Sequence, residues 1–362
     1  MSKFNLNKLG KETPTHKYES AFINLKPYLG NFDWCEFLFL VGGAQQGKSY
    51  AILDFFVSQY RKDGTPFYWI RLTEAAAQKL LRNNAELLID PDIKRRYNLD
   101  IVTSAGNVYE VTKRSAPDKK GQTKILEKKL MARVLSLSTF YKTKGAGYFD
   151  KDYKGWYNIG MDEFQPEANE KHTFDIVYGF VRTMENLVRN TSTHVRIIGA
   201  ANLLQEASDI LCCFNFIPET WGTYKLKSKR CVIAYLEPTD AYKKMRKDSI
   251  AQMLLPNSSM YSNEQQVDDT LVDKRPLITP QYIIKFSKDK DHWYTVWNHG
   301  IVCKYNKENK DAVAMRPYLD EVYNVDRVKS IIELFDTRSF HYRNLITFKQ
   351  FQADIELLKP RK

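Results

Sequence analysis

The chain has 362 residues, with 55 Lys and Arg against 43 Asp and Glu, so its formal net charge is +12. That length is enough for two or three domains with real cores, and the cationic surplus points to a polyanionic partner. No stretch nears the roughly eighteen continuous apolar residues of a membrane span, and the opening MSKFNLNKLGKETPTHK lacks an apolar signal core, so an intracellular protein with no membrane partner is expected. Cys35, Cys212, Cys213, Cys231 and Cys303 form no C-x-x-C pair or zinc spacing and read as reduced thiols, while the six histidines are scattered and take no role.

In chain order, the first informative stretch is FLFLVGGAQQGKSY, an apolar run entering Gly42, Gly43, Ala44, Gln45, Gln46, Gly47, Lys48 and Ser49, with Tyr50 next. It fits the P-loop pattern G-x-x-x-x-G-K-[ST]. Glycines let backbone N–H groups turn toward nucleotide phosphates, Lys48 reaches the β and γ oxygens, and the Ser49 hydroxyl ligates Mg²⁺. Ala51, Ile52, Phe55, Phe56 and Tyr60 recur at helical spacing, as a helix completing the anion site requires. ATP and Mg²⁺ are therefore the expected ligands.

Residues 67–72 read as a strand, with Thr73 as N-cap of the next helix, and residues 101–111 read as a hairpin turning at 105–107. Lysines and arginines then crowd the chain at Lys113, Arg114, Lys119, Lys120, Lys124, Lys128, Lys129, Lys142 and Lys144, and again at Lys225–Arg230 and Lys243–Lys247. Single clusters are commonly solvated faces, but several on one ATPase suit phosphate-backbone contacts. WYNIGMDEF, residues 156–164, is a strand ending in two carboxylates: Asp162 would hold Mg²⁺ and Glu163 would orient and deprotonate a water. Phe174, Val177, Phe180, Val181, Met184, Leu187 and Val188 mark one helix face, and Arg189 closes that helix, either against its dipole or as an arginine finger reaching a neighbouring subunit. The strand at 195–199 runs into Asn202, which either satisfies a turn or addresses the γ-phosphate and attacking water. In an open α/β sheet the strand ends at Gly42, Asp162 and Asn202 converge on one crevice.

Past Pro238 the pattern changes. The expected organisation is a P-loop ATPase domain with an open, mainly parallel sheet at 1–240, a linker or lid at 241–277, and a small α+β domain at 278–362 with three alternating strands and two helices.

GGAQQGKSY, WIRL, IGMDEF, MENLVRN and HVRIIGAAN together resemble, in order and spacing, the DNA-packaging ATPases of small Picovirinae-type tailed phages. The resemblance implies an additional-strand, catalytic-glutamate P-loop ATPase that forms a ring, docks on a procapsid portal in the host cytoplasm and pumps double-stranded DNA. Its ring would be a pentamer, and a structural RNA is a further partner to test. By position it assigns Lys48 and Ser49 to the P-loop pair, Asp162 and Glu163 to the Walker B pair, Arg189 to the trans-acting finger and Asn202 to coupling. The loop at 142–145, with Lys142 and Lys144, falls where a DNA-gripping loop is expected, and Arg71 is a candidate for the inter-subunit site. The C-terminal domain would be a degenerate RNase H-like fold, since Asp289, Asp291, Asp311 and Asp320 form no convincing two-metal set. A helicase, or a nucleic-acid-binding protein with a relict P-loop, would share the nucleotide motifs, and duplex unwinding or absence of turnover would distinguish them.

Overall fold

The computed structural model describes residues 22–32, 34–117, 122–140, 142, 155–165, 174–188, 194–202, 208–218, 220–247, 271–287, 289–305 and 325–358. The chain divides into two compact units, Met1–Gln205 with Thr220–Gln265, and Glu206–Glu219 with Gln266–Lys362. The fold is α/β. Among the described residues no helix is long and apolar enough to cross a membrane.

The first unit starts with a short helix α1 (Lys26–Asn31), then β1 (Phe37–Gly42), α2 (Lys48–Asp63), β2 (Phe67–Arg71), α3 (Glu74–Ala85) and α4 (Pro91–Arg96). It continues through β3 (Ile101–Ser104), β4 (Asn107–Arg114), β5 (Ile125–Ser136), α5 (Leu137–Phe140), β6 (Trp156–Asp162), α6 (Ile176–Val188) and β7 (His194–Asn202). Beyond α7 (Asp209–Cys212), which belongs to the second unit, come β8 (Gly222–Leu226), β9 (Cys231–Tyr235) and α8 (Asp240–Lys247). Among the described residues the sheet has nine strands, ordered β3-β4-β5-β2-β6-β7-β1-β9-β8. From β5 to β9 neighbours run parallel, while β3–β4–β5 and β9–β8 are antiparallel edges.

The central strands are near-continuous apolar runs because both their faces are covered. In β1, FLFLVG, every residue after Phe37 is buried. The expected hairpin forms between β3 and β4, and Ala105 and Gly106 both take positive φ, 48° and 78°, as a primed two-residue turn demands. Thr73 caps α3 as expected, its side chain accepting from the Ala76 N–H at 3.3 Å. The 12-residue β5 was not foreseen: it inserts between the hairpin and β2.

The expected helix face needs correction. In α6 the buried residues are Ile176, Gly179, Phe180, Thr183, Met184 and Leu187, whereas Val177 and Val181 are 37% and 42% exposed. At 100° per residue, Ile176, Phe180, Thr183 and Leu187 share a side, and hydrophobicity alone cannot tell a core valine from an outward one.

In the second unit β10 (Pro280–Lys285), β11 (Trp293–Trp297) and β12 (Ile301–Lys304) form an antiparallel meander, and β13 (His341–Tyr342) pairs parallel to β12. Helices α9 (Val325–Asp336) and α10 (Leu345–Leu358) flank β13 in sequence. Phe348, Phe351 and Ile355, expected on the core face of the last helix, are buried with Tyr294, Val296 and Tyr342. Asp354, on the same helix, is buried and bonds His292 Nδ1 and the Tyr294 hydroxyl, each at 2.7 Å. Asp289 and Asp291 lie in the turn before β11, and Asp311 and Asp320 fall outside the described residues.

Gly160 lets the Walker B strand pass the core. A Cβ there would lie 2.4 Å from the Trp69 ring and 3.0 Å from Phe56, both buried. Gly160→Ala is expected to destabilise the first unit by about 1–3 kcal/mol through overpacking, read as a lower denaturant midpoint.

Candidate functional site

The parallel registers decide where the loops end. Gly42 pairs with Asn202 across β1 and β7, and Asp162 pairs with Ala200 across β6 and β7. On the other side of β6, Ile70 pairs with Met161, so Arg71 comes level with Asp162. Strand β7 thus separates the P-loop strand from the Walker B strand. The loop residues Gln45–Tyr50 with Asp162, Glu163 and Ala200–Asn202 line one cleft of about 230 Å³.

Between β1 and α2 the backbone turns through positive φ at Gln45 (65°) and Gly47 (75°), and α2 begins at Lys48. The first N–H groups of a helix have no intrahelical acceptor, and its dipole favours an anion there. Lys48 is 5% exposed, and its Nζ donates to Gly42 O (3.1 Å), Gly43 O (2.6 Å) and Asn202 Oδ1 (3.1 Å). All three acceptors are neutral. Burial pushes the Lys48 ammonium down to about 8, against the opposing charge of Asp162. The Gln46 Oε1 is also buried without a hydrogen-bond partner. A buried cation among neutral oxygens, at a helix N-terminus, fits a phosphate chain.

The Ser49 hydroxyl donates to Asp162 Oδ1 at 2.6 Å. A hydroxyl and a carboxylate side by side suit a hard divalent cation such as Mg²⁺, which takes one or two protein oxygens and keeps waters. Glu163 follows in left-handed conformation, φ 51°, which is costly for a non-glycine residue and turns its side chain out of the strand. Its carboxylate is 54% exposed.

Arg71 lies within this site in its own subunit. Its Nη1 donates to Asp162 Oδ2 at 3.0 Å and its Nη2 bonds Glu163. Within its own chain Arg71 thus contacts both Walker B carboxylates. The signal was present: WIR ends a strand, and a strand-end arginine beside a carboxylate-bearing strand faces the same crevice. Asn202 contacts Lys48, while Arg189 and Lys144 lie outside the described residues. Lys142 is exposed just after α5 and away from the cleft lining. The Tyr50 hydroxyl donates to Asp92 Oδ2 at 2.7 Å and contacts Arg96, tying α2 to α4.

Two residues of α8 were missed. Tyr242 donates from its hydroxyl to Ala44 O at 2.7 Å, and Arg246 Nη1 donates to Gln45 Oε1 at 2.8 Å. The helix therefore packs on the P-loop itself, and the i, i+4 spacing of Tyr242 and Arg246 was the trace of a buried face.

Lysine 48 binds fewer protons folded than unfolded between about pH 8 and its ordinary 10.5, so its contribution to stability rises with pH through that window. The stability difference between wild type and Lys48→Met should shift toward the wild type on raising pH from 8 to 10, by on the order of 2 kcal/mol, measured by denaturant titration at each pH. Arg71 competes with any cation for Asp162. Arg71→Ala should bind Mg²⁺ more tightly, by on the order of tenfold if one charge-assisted hydrogen bond is lost, measured by isothermal titration.

No protein-family model matches the chain, and no curated protein is similar to it in sequence. Solved structures do match. The Phi-28 gp11 DNA packaging motor aligns over 94% of this chain and 99% of its own, with a TM-score of 0.58 and 13% identity. The bacteriophage Phi-29 viral genome packaging motor assembly aligns over 93% and 98%, with a TM-score of 0.59 and 17% identity. At such identities the likeness is one of fold, and it extends well beyond the residues that carry the motifs: this chain has the fold of phage DNA-packaging motor proteins.

Proposed function

We propose that the chain is an ATP-driven translocase of double-stranded DNA that packages a phage genome into a procapsid, working as a homo-oligomeric ring docked on the portal. The observation that carries the reading is the convergence of Lys48, Ser49, Asp162, Glu163 and Asn202 on one cleft beyond the carboxyl ends of parallel strands. The fold of known packaging motors supports the DNA and ring parts of the reading.

In this proposal Lys48 and the loop N–H groups hold the β- and γ-phosphates of ATP, and Ser49 and Asp162 hold Mg²⁺. The metal supplies neutralisation of charge on the phosphate oxygens. Asn202, whose Oδ1 accepts from Lys48, keeps its amide donors for the γ-phosphate or the water. Glu163 accepts the water's proton, which requires that its bond to Arg71 be exchanged first. Arg71 would therefore have to leave Glu163 when substrate binds, which frees the base. Arg189 is assigned to completing a neighbour's site, where a finger contributes about 10³–10⁵ in turnover. The C-terminal unit is assigned to docking and DNA binding, without cleavage.

Steady-state ATP hydrolysis measured across protein concentration, with and without long duplex DNA, tests the reading. Turnover should rise steeply with concentration and again with DNA. Lys48→Ala should lose nucleotide binding. Glu163→Gln should bind ATP with turnover down about 10²–10⁴-fold, and Arg189→Ala should bind ATP normally and hydrolyse poorly. Turnover indifferent to both concentration and DNA would overturn the translocase, and strand separation would move the reading to a helicase.

A further inference from the structure

Beyond the sheet, β4 and β5 continue as a two-stranded ribbon covered on neither side. Residues 112–114 and 122–129 are all exposed, including Ile125 and Leu126, and β5 pairs with β2 only from Ala132 onward. An isolated two-stranded ribbon is marginal in water. Here it is fastened at its base: Glu110 of β4, 9% exposed, accepts from the Tyr60 hydroxyl (3.0 Å) and Arg61 Nη1 (2.6 Å), and Lys129 of β5 sits over the Tyr60 ring.

The ribbon's cations are not all compensated. Lys113 is opposite Glu127, 3.7 Å away, and Arg114 donates to Asp100 at 2.8 Å, so these cations are already neutralised. Lys124 and Lys128, by contrast, are exposed beside the apolar Ile125 and Leu126. Lys128 lies over the Tyr109 ring at 4.2 Å, and among the described residues neither Lys124 nor Lys128 is paired with a carboxylate. A fastened, exposed ribbon carrying two uncompensated cations has the shape and charge of an element that lies in a groove of duplex DNA and contacts phosphates.

Resting on the translocase reading, we propose that the outer β4–β5 ribbon is a docking surface for double-stranded DNA, with Lys124 and Lys128 contacting the phosphate backbone. The surface is sequence-blind and salt-sensitive, as a motor that moves along any genome requires.

Lys124→Gln combined with Lys128→Gln removes two charges from the ribbon, and Lys62→Gln combined with Lys79→Gln removes two from exposed positions outside the basic clusters. Binding of a fluorescent duplex oligonucleotide is followed by anisotropy across salt, with basal ATP turnover as the check on folding. The ribbon variant should keep basal turnover, and its log affinity against log salt should be less steep by about two, so that its deficit shrinks roughly tenfold between about 50 and 200 mM salt. The control should keep the wild-type slope. Equal slopes for ribbon variant and wild type, or equal losses in ribbon variant and control, would overturn the ribbon assignment while leaving the translocase intact. A ribbon variant that loses RNA binding but keeps duplex DNA binding would overturn the choice of DNA. A wild type without salt-sensitive duplex binding would overturn both readings.

Discussion

The Lys48 ammonium is buried among oxygens that carry no charge, and much of the first unit is arranged around that unfavourable placement. Its partners come from three places: the loop carbonyls of Gly42 and Gly43 and the side chain of Asn202. Holding them together requires β1 and β7 to end level, which their register provides by pairing Gly42 with Asn202. It also requires the loop to fold tightly. A Cβ at Gly42 would lie 2.3 Å from Gln46 Oε1 and 2.9 Å from Leu236, so no larger residue fits without moving the loop. The site is built to be less stable empty than filled, since a phosphate supplies the missing counter-charge.

Across the cleft the imbalance has the opposite sign. Asp162 and Glu163 are adjacent acidic residues, and their like charges repel. Arg71 and Ser49 answer that charge in the structure, with the guanidinium bridging both acids and the hydroxyl on Asp162. Lys48 bonds neutral oxygens while Ser49 and Arg71 bond the carboxylates, with Asp162 near enough to act on the Lys48 charge. A metal–phosphate complex would suit both sets of groups, offering negative oxygens to Lys48 and positive charge to Asp162. Partial exposure of Glu163 and its left-handed backbone leave it the more easily released of the two acids.

What was legible in the sequence was local or periodic. The P-loop can be read because backbone conformation and phosphate chemistry constrain consecutive residues, and IGMDEF because an apolar strand ending in acids is unusual. The hairpin at Ala105 and Gly106 was visible for the same reason, its turn chemistry being written in adjacent residues. Arg71 carried a position but no partner, since its contact to Asp162 spans 91 residues and depends on β2 lying beside β6. Tyr242 and Arg246 looked like part of a basic helix in a linker, because charge pattern does not disclose which surface a helix meets. Val177 and Val181 were given to the core on hydrophobicity, although several apolar side chains on a helix can remain outward. Asp354 went unnoticed because a buried carboxylate is meaningful only with its His292 and Tyr294 partners, 62 and 60 residues away.

The P-loop helix joins these parts. It spans 16 residues, about 24 Å at 1.5 Å per residue. Its first turn carries Lys48 and Ser49, its middle is held by Arg96 on Asp54 at 2.7 Å, and its last turns carry Tyr60 and Arg61 on Glu110. Glu110 belongs to the strand from which the exposed cationic ribbon projects. A change of charge in the first turn that tilts this helix must therefore either move the ribbon's base or break the hydrogen bonds to a nearly buried carboxylate. Breaking them leaves a charge uncompensated, at a cost of several kcal/mol for a fully buried pair and less here, where Arg61 is partly exposed. A helix with polar anchors along its length thus ties the cleft residues of its first turn to the base of the ribbon, with Glu110 as the contact that any tilt must disturb.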